Sequence, residues 1–234
     1  MTSFAQVSVV IPAAGKGVRM SADISKQYLP LLGQPLLAHS LTRLLALSPR
    51  QIVLVVAADD ERWQTVEGVE HCLVVRGGTS RAASVLNGLA ALQATTNDWV
   101  LVHDGARPCV RGADIRRLMQ SVAASDVGGL LGVSVTDTVK EVTAGVINAS
   151  PDRTRLWLAQ TPQMFRFGLL QRALQQALQQ QMLITDEASA VEVMGFQPLM
   201  VEGHRDNIKV THADDLGLAE YYLAQQAMSA GGAI

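Results

Sequence analysis

The sequence predicts an α/β fold with a Rossmann-like, mostly parallel twisted sheet covered by helices. Short aliphatic runs alternate with helical repeats, as in a parallel sheet that is buried on both faces. Glycine-rich loops follow the first and third runs, and an aspartate directly follows the fourth. A length of 234 residues, with 48% hydrophobic and 17% charged residues, suits one domain with an appendage and excludes a disordered chain.

The elements follow in chain order from apolar runs and from periodicity. Runs of strand length predict strands at Val7 to Ile11, Ile52 to Val56, Leu73 to Val75, Val100 to His103 and Leu130 to Val135. Aliphatic residues at helical spacing predict helices within 36–45, 85–92, 115–122 and 169–178. Thr79 or Ser80 can cap the helix that contains 85–92. Capping residues predict further helix starts near Thr185 and Asp186 and at Thr211, where Asp214 completes a capping box.

One stretch departs from this alternation. Residues 134–163 are rich in β-branched residues and carry a turn signal at Ala144 and Gly145. We therefore expect a protruding β arm here instead of another strand and helix. No linker is long enough to divide the chain, so residues 1–234 form a single predicted domain.

Composition excludes several classes of protein. A net charge of -2 argues against a general nucleic-acid binder. The longest aliphatic stretches reach strand length, far below the roughly 20 residues that cross a bilayer, and no signal peptide is visible. Cys72 and Cys109 match no zinc or redox spacing, and the five histidines show no metal-ligand spacing. We expect a cytoplasmic protein with reduced thiols and no membrane partner.

The loop after the first strand is the first candidate site. It runs from Ala13 to Met20 and contains two glycines, which allow backbone N–H groups to approach an anion closely. It lacks the P-loop pattern, and Met20 replaces the third glycine of the dinucleotide fingerprint, which argues against a dehydrogenase. Two cations follow, Arg19 and Lys26. The competing interpretation is a tight turn with two solvated charges.

Two more loops lie between a strand and a helix. Taken alone, the segment from Arg76 to Ser80 is better explained as a simple turn, but paired with the first loop it offers a second wall for one ligand. Ser84 could donate a hydroxyl to that ligand or could equally be an ordinary exposed serine. Asp104 follows a buried strand, and ligands of open α/β sheets bind at the carboxyl ends of strands. An aspartate that only caps the turn is the alternative. Individually, the later polar residues look like surface positions.

Short motifs occur in this order: AAGKGVRM, KQYL, RGGTSRAASV, VLVHDGARP, TDTVK, TPQMF, TDEAS and DNIKVT. The ordered set resembles the 2-C-methyl-D-erythritol 4-phosphate cytidylyltransferase family from about Val7 to Tyr222. The resemblance implies transfer of CMP from CTP to 2-C-methyl-D-erythritol 4-phosphate, which gives 4-diphosphocytidyl-2-C-methyl-D-erythritol and pyrophosphate. Ribitol-5-phosphate cytidylyltransferase is the alternative, since it shares the nucleotide half; the TDEAS and DNIKVT segments favour the first.

The resemblance also implies roles for individual residues. The implied catalytic residues are Arg19, Lys26, Arg153 and Lys209. The implied nucleotide-binding residues are Ala13, Ala14, Gly15, Gly78, Thr79, Ser84, Asp104 and Gly105. The implied acceptor-binding residues are Arg107, Thr138, Arg153, Thr185, Asp206 and Lys209. In the family the β arm crosses to a second subunit, which implies a homodimer in which Thr138 and Arg153 serve the neighbouring site.

The residue chemistry agrees with this reaction. A phosphate monoester has a second pKa of roughly 6, so it is largely dianionic at pH 7 and needs no general base. Cations must instead offset the repulsion between the two anions. Mg²⁺ is expected on the CTP phosphates and needs few protein ligands, so no metal motif is required. A non-catalytic nucleotide-binding module is the last alternative, and the retained cations argue against it.

Overall fold

A computed structural model describes residues 6–15 and 25–231. Its strands are β1 (Val7–Ala13), β2 (Pro30–Leu31), β3 (Gln34–Pro35), β4 (Gln51–Val56), β5 (Cys72–Arg76), β6 (Trp99–Val102), β7 (Gly128–Ser134), β8 (Glu141–Thr143), β9 (Val146–Ala149), β10 (Trp157–Arg166) and β11 (Leu199–Glu202). The helices are α1 (Leu36–Leu45), α2 (Arg81–Ala90), α3 (Gly112–Val122), α4 (Phe167–Gln179), α5 (Glu187–Val193) and α6 (Asp214–Gly231).

Seven strands form the central sheet in the order β11-β7-β10-β6-β1-β4-β5. All neighbouring pairs are parallel except those of β10, which runs antiparallel to both β6 and β7. The strands β1, β4 and β5 progress toward one edge, and β6 then pairs on the other side of β1. The connections therefore reverse direction between β1 and β6, which is the topological switch point of an open α/β sheet. The predicted Rossmann-like α/β class is confirmed.

The core lies on both faces of this sheet. Successive side chains of a strand point to opposite faces, so a strand that is apolar at every position must be covered on both sides. In β1, Val9 and Ile11 pack in one cluster with residues of α1 and α3. Val10 packs in a second cluster with residues of α2 and α4. The apolar run that predicts this strand is thus explained by two layers of helices.

The predicted arm contains an exposed hairpin. Strands β8 and β9 pair with each other, and every residue in them is exposed. Ala144 (φ 50°) and Gly145 (φ 83°) join them with two positive φ angles, as the turn signal at these positions predicts. Strand β10 begins at Trp157, so residues 157–163 of the predicted arm belong to the central sheet. The protruding part is correspondingly shorter.

The start of the last helix differs from the prediction. We expected Thr211 to begin α6 with Asp214 as its capping partner, but the helix begins at Asp214. The carboxylate of Asp215 accepts the backbone N–H groups of Thr211 (2.7 Å) and His212 (2.8 Å). This carboxylate stabilises a turn ahead of the helix and accepts the Thr211 N–H that the predicted box would have paired with Asp214. The edge strand β11 has no counterpart among the predicted strands.

Candidate active site

A cavity of about 430 Å³ opens at the carboxyl ends of β1 and β6, at the switch point of the sheet. Three loops with glycine form most of its wall in the part of the chain that the structure describes. They contribute Ala13, Ala14 and Gly15 after β1, Gly78, Thr79 and Ser80 before α2, and Asp104, Gly105 and Ala106 after β6. The polar lining is completed by Lys26, Gln27, Arg81, Ser84 and Lys209. The structure therefore brings all the predicted nucleotide-binding residues to one cavity.

The first two loops pack so closely that one position requires glycine. A Cβ added to Gly77 would lie 2.5 Å from Cβ of Ala14 and 2.8 Å from Oγ of Ser84. The backbone N–H of Gly77 also donates to Val56 O at the end of β4 (2.7 Å), which fixes the loop to the sheet. The glycine pair in this loop thus sets the width of the cavity between its two walls.

The Ser84 hydroxyl organises the loop that precedes its own helix. It donates to Ser80 O (2.8 Å) and accepts the backbone N–H of Gly78 (3.1 Å). Ser80, the predicted cap of α2, accepts the N–H of Ala83 (3.1 Å). The proton that we expected Ser84 to offer a ligand is donated to the backbone here. Its oxygen still lies at the cavity wall.

Asp104 is a buried carboxylate that divides its two oxygens between two cations. Arg81 donates to Oδ1 through Nε (3.1 Å) and Nη2 (2.9 Å), while Nζ of Lys209 lies 2.7 Å from Oδ2. Burial alone would raise the pKa of Asp104, but the charges of Arg81 and Lys209 hold this pKa well below its usual range. Asp104 is therefore an anion at neutral pH, and the sequence prediction that it faces a site is supported by its place at the cavity.

Arg81 is the charged cavity residue that the sequence analysis missed. It lies in the first turn of α2 and also pairs with Glu187 of α5, with Nη1 2.6 Å from Oε1 and Nη2 3.1 Å from Oε2. Glu187 is fully buried. Burial alone would lower the pKa of Arg81, but Glu187 and Asp104 raise it above its ordinary value. An arginine in the first turn of a helix has no pattern that reveals such a role, because both partners are distant in sequence.

The buried side chain of His103 supports the turn after β6. Nε2 of His103 lies 3.0 Å from Arg107 O, and a carbonyl oxygen only accepts, so Nε2 carries the proton. Nδ1 then accepts the hydroxyl of Thr161 (3.2 Å), whose oxygen accepts the backbone N–H of Asp104 (3.0 Å). Burial lowers the pKa of His103 from 6.5 to about 4, so the ring is neutral near pH 7. His103 thus supports the turn that carries Asp104.

Lys26 and Gln27 approach the cavity from the segment before β2. Lys26 lines the cavity. Gln27 is buried and donates through Nε2 to Ala13 O (2.7 Å), so it ties this segment to the end of β1. Arg19 is the other predicted catalytic cation of this region. It lies in the segment 16–24, which is outside the residues that the structure describes.

Two predicted acceptor-binding residues are engaged in other contacts. Arg107 donates through Nη1 to Asn207 O (2.6 Å), which holds the turn after β6 against the segment that carries Lys209. Asp206 is buried and accepts hydrogen bonds from Arg111 and from Nε2 of Gln226 (2.9 Å). Neither residue lines the cavity. Their assignment to the acceptor stays a prediction.

Lys209 lines the cavity, but the remaining predicted acceptor residues lie away from the cavity wall. Thr138 and Arg153 belong to the arm, where Arg153 donates to Thr136 O (2.6 Å). Thr185 is exposed just before α5, and its N–H donates to Ser189 Oγ (3.1 Å). Asp186, the predicted cap, forms a capping box with Ser189. Within the described part of a single chain, Thr138 and Arg153 therefore do not line the cavity that Lys209 lines.

The cavity carries an excess of positive charge. Its described lining contains Lys26, Arg81 and Lys209 but only one carboxylate, Asp104. Such a wall suits a polyanion. Across residues 6–15 and 25–231, no group of three or more histidine, cysteine, aspartate or glutamate side chains could hold a metal ion. The helices in the same ranges are too short or too polar to cross a bilayer.

Comparison with known proteins supports a single family. Residues 7–225 match the family model described as 2-C-methyl-D-erythritol 4-phosphate cytidylyltransferase. The chain is 47% identical over 224 residues to the protein of that name from Mannheimia succiniciproducens, which covers 94% of this chain and 97% of the relative. It is 48% identical over 221 residues to the protein of that name from Hahella chejuensis, which covers 92% of each.

Solved structures agree with the sequence relatives. The crystal structure of 2-C-methyl-D-erythritol 4-phosphate cytidylyltransferase from Francisella tularensis superposes with a TM-score of 0.81 at 35% identity, covering 92% of this chain and 99% of that one. The enzyme from Thermus thermophilus superposes with a TM-score of 0.79 at 30% identity, covering 94% and 99%. The chain belongs to the 2-C-methyl-D-erythritol 4-phosphate cytidylyltransferase family.

Proposed function

We propose that this chain transfers CMP from CTP to 2-C-methyl-D-erythritol 4-phosphate and releases pyrophosphate. The observation that carries the proposal is the cation-rich cavity at the switch point of a sheet whose chain belongs to this family. A site that joins two phosphorylated substrates must offset their mutual repulsion. Lys26, Arg81 and Lys209 supply that charge among the described lining residues, and Asp104 partly balances it.

The reaction is an in-line substitution at the α-phosphorus of CTP. An oxygen of the acceptor phosphate forms a bond to this phosphorus, and the bond to the oxygen that bridges to the β-phosphorus breaks. The electron pair leaves with pyrophosphate. The acceptor phosphate is already deprotonated near pH 7, with a second pKa of roughly 6, so no side chain has to remove a proton. Catalysis then depends on positioning and on charge stabilisation.

The nucleotide is assigned to the walls formed by the loops after β1 and before α2. Ala13, Ala14 and Gly15 on one side, and Gly78 and Thr79 on the other, present backbone groups to a narrow slot. Ser84 supports the second wall, and Asp104 with Gly105 forms the floor of the cavity. Lys26, together with Arg19, is assigned to the triphosphate. Backbone donors and lysine are both common phosphate ligands.

The acceptor phosphate is assigned to Lys209, with Arg107, Thr185 and Asp206 on the elements nearby. Thr138 and Arg153 are assigned to the site of a neighbouring subunit, because they lie on the arm and away from the cavity of their own chain. The arm supports a homodimer: Val142, Val146 and Ile147 are 52%, 66% and 59% exposed. Contiguous apolar residues of this kind favour burial against a partner.

The metal of the reaction is Mg²⁺ that arrives on the CTP phosphates. Asp104 is the one carboxylate in the described cavity lining, and Arg81 and Lys209 already occupy both of its oxygens. These residues fit a cation that keeps its waters and phosphate ligands better than one caged by protein groups. We also place the enzyme in the cytoplasm, where the free thiols of Cys72 and Cys109 would stay reduced.

The test is pyrophosphate release from CTP and Mg²⁺ with each of two acceptors, 2-C-methyl-D-erythritol 4-phosphate and ribitol 5-phosphate. Release with the first acceptor and a lack of it with the second is the expected result. Release with ribitol 5-phosphate alone would keep the nucleotide site but replace the acceptor. If folded protein bound CTP and released no pyrophosphate with either acceptor, the catalytic assignment would be wrong.

A further inference from the structure

We infer that Arg81, fixed by the buried carboxylate of Glu187, is a positioning residue that holds Asp104 and, through it, the ammonium of Lys209 at the cavity wall. The inference rests on the proposed function, in which Lys209 meets a phosphate. It assigns a task to Glu187, a fully buried charge that the proposed reaction does not otherwise use.

Arg81 and Lys209 share the carboxylate of Asp104. Its Oδ1 accepts two N–H groups from Arg81, and its Oδ2 is left for Lys209 at 2.7 Å. If Arg81 turned to pair with both oxygens, it would displace the ammonium of Lys209. The location of Lys209 therefore depends on which edge of the guanidinium faces Asp104.

Glu187 prevents Arg81 from rotating to pair with both oxygens of Asp104. Glu187 binds Nη1 (2.6 Å) and Nη2 (3.1 Å), so the adjacent edge of the planar guanidinium, which shares Nη2 with the edge that faces Asp104, is occupied by a carboxylate from a different helix. Four of the five N–H donors of Arg81 are thus directed at two carboxylates. Glu187 itself is fully buried and cannot turn toward solvent. A lysine at position 81 would offer one point charge and could not hold both carboxylates in this arrangement.

The four side chains form a cluster of balanced charge. Arg81 and Lys209 carry two positive charges. Burial raises the pKa of Glu187, but the charge of Arg81 opposes this rise, and with Glu187 ionised in that pair Asp104 and Glu187 carry two negative charges. A lone carboxylate beside a bound triphosphate would repel it, whereas this cluster neutralises Asp104 without removing the positive lining that faces the cavity. Of the two carboxylates, Asp104 lines the cavity and Glu187 does not. Lys209 remains 37% exposed and can meet an anion while it keeps Asp104.

The test separates positioning from general stability by using a matched pair elsewhere. Arg117 pairs with the buried carboxylate of Asp114 (2.5 Å) and lies outside the cavity. Arg81→Lys and Glu187→Gln are compared with the control Arg117→Lys, and the stability of each variant is measured by urea unfolding. Loss of folding stability is expected in all of them, since each weakens a buried ion pair.

The first readout needs no substrate. The chain has four lysines, so acylation by acetic anhydride can be followed at Lys209 by mass spectrometry, with the exposed Lys140 as the internal reference. We expect Arg81→Lys and Glu187→Gln to raise the acylation rate of Lys209 several-fold relative to Lys140, and Arg117→Lys to leave the ratio unchanged. If the ratio is the same in all variants, Arg81 does not hold Lys209 and the inference is wrong, whatever the enzyme's reaction.

The second readout is a kinetic cycle. Glu187→Gln should lower kcat or kcat/KM for the acceptor about 10- to 100-fold, by analogy with the partners that orient metal ligands, and leave the KM for CTP unchanged. In a Lys209→Ala background the same change should have little further effect, because the positioned group is gone. Equal losses in both backgrounds would overturn the inference. Wild-type turnover in the same assay reports separately on the proposed function. If Glu187→Gln fails to fold, Arg81→Lys carries both readouts, since Arg81 is 29% exposed.

Discussion

The ammonium of Lys209 lies 2.7 Å from the carboxylate of Asp104, although the two residues come from opposite halves of the chain. Asp104 follows β6 at the switch point, and Lys209 follows β11 at the far edge of the sheet. The segment after β11 crosses back and is held to the turn after β6, where Val210 N–H donates to Ala106 O (2.9 Å). This crossing adds a cation to a cavity that the first half of the fold would otherwise form alone.

Removal of that cation should affect catalysis more than folding. For Lys209→Ala we expect kcat to fall by about 100- to 1,000-fold, the range for one lost group that stabilises transition-state charge. Arg81 remains to neutralise Asp104, so the protein should still fold. Pyrophosphate release and urea unfolding measure the two effects. Lys140→Ala is the control, because Lys140 is exposed and bonds only to Ser150 among the described contacts. Near-normal turnover of Lys209→Ala would remove Lys209 from the mechanism.

The close approach of Gly77 to Ala14 predicts a different kinetic defect. In Gly77→Ala the new Cβ would lie 2.5 Å from Cβ of Ala14, which has no rotamer that could move it away. The loops must separate, so we expect a raised KM for CTP and weaker CTP binding by calorimetry. Gly217→Ala, whose Cβ meets no atom within 4 Å on α6, should leave CTP binding unchanged. An unaltered CTP affinity of Gly77→Ala would show that the slot is not the nucleotide site.

The arm predicts an effect on association. Ile147 is 59% exposed on β9, and Ile147→Asp would place a charge among the apolar residues that we assign to the dimer. We expect sedimentation velocity to shift from dimer to monomer and activity to fall with it. Leu183→Asp changes a side chain that is 95% exposed outside the arm and should leave the mass unchanged. A wild-type protein that sediments as a monomer contradicts the dimer directly.

A mixing experiment asks whether the arm serves the neighbouring site. Lys26→Ala inactivates one copy at the cavity, and Arg153→Ala inactivates the arm of the other. If Arg153 acts across the interface, mixed dimers contain one site with both residues intact, so activity should return. Each variant alone stays inactive and is the control. Failure to recover activity, once subunit exchange is verified by native mass spectrometry, would place Arg153 at the site of its own chain.

The sequence reveals the parts of this site that depend on local pattern. Asp104 can be predicted because a charge directly after a buried strand needs a partner or a site, and Ser80 because a cap precedes a helical repeat. Arg81 cannot, because its meaning depends on Glu187, which only the packing of α2 near α5 brings close. The prediction for the start of α6 fails because the capping-box spacing from Thr211 selects Asp214, whereas in the folded chain the carboxylate of Asp215 accepts the Thr211 N–H.

The neutral His103 under the turn predicts how stability depends on pH. Its pKa is about 4 when folded and 6.5 when exposed, so below pH 6.5 the unfolded chain binds a proton that the folded chain does not. The contribution of neutral His103 to the free energy of unfolding is fully present above pH 6.5. It is lost as the pH falls toward 4, by about 3 kcal/mol in total. In urea unfolding across this range, His103→Gln, which retains a donor for Arg107 O, should flatten the slope. His71→Gln changes an exposed histidine and should leave the slope as in the wild type. Equal slopes in wild type and His103→Gln would mean that His103 is charged in the folded chain.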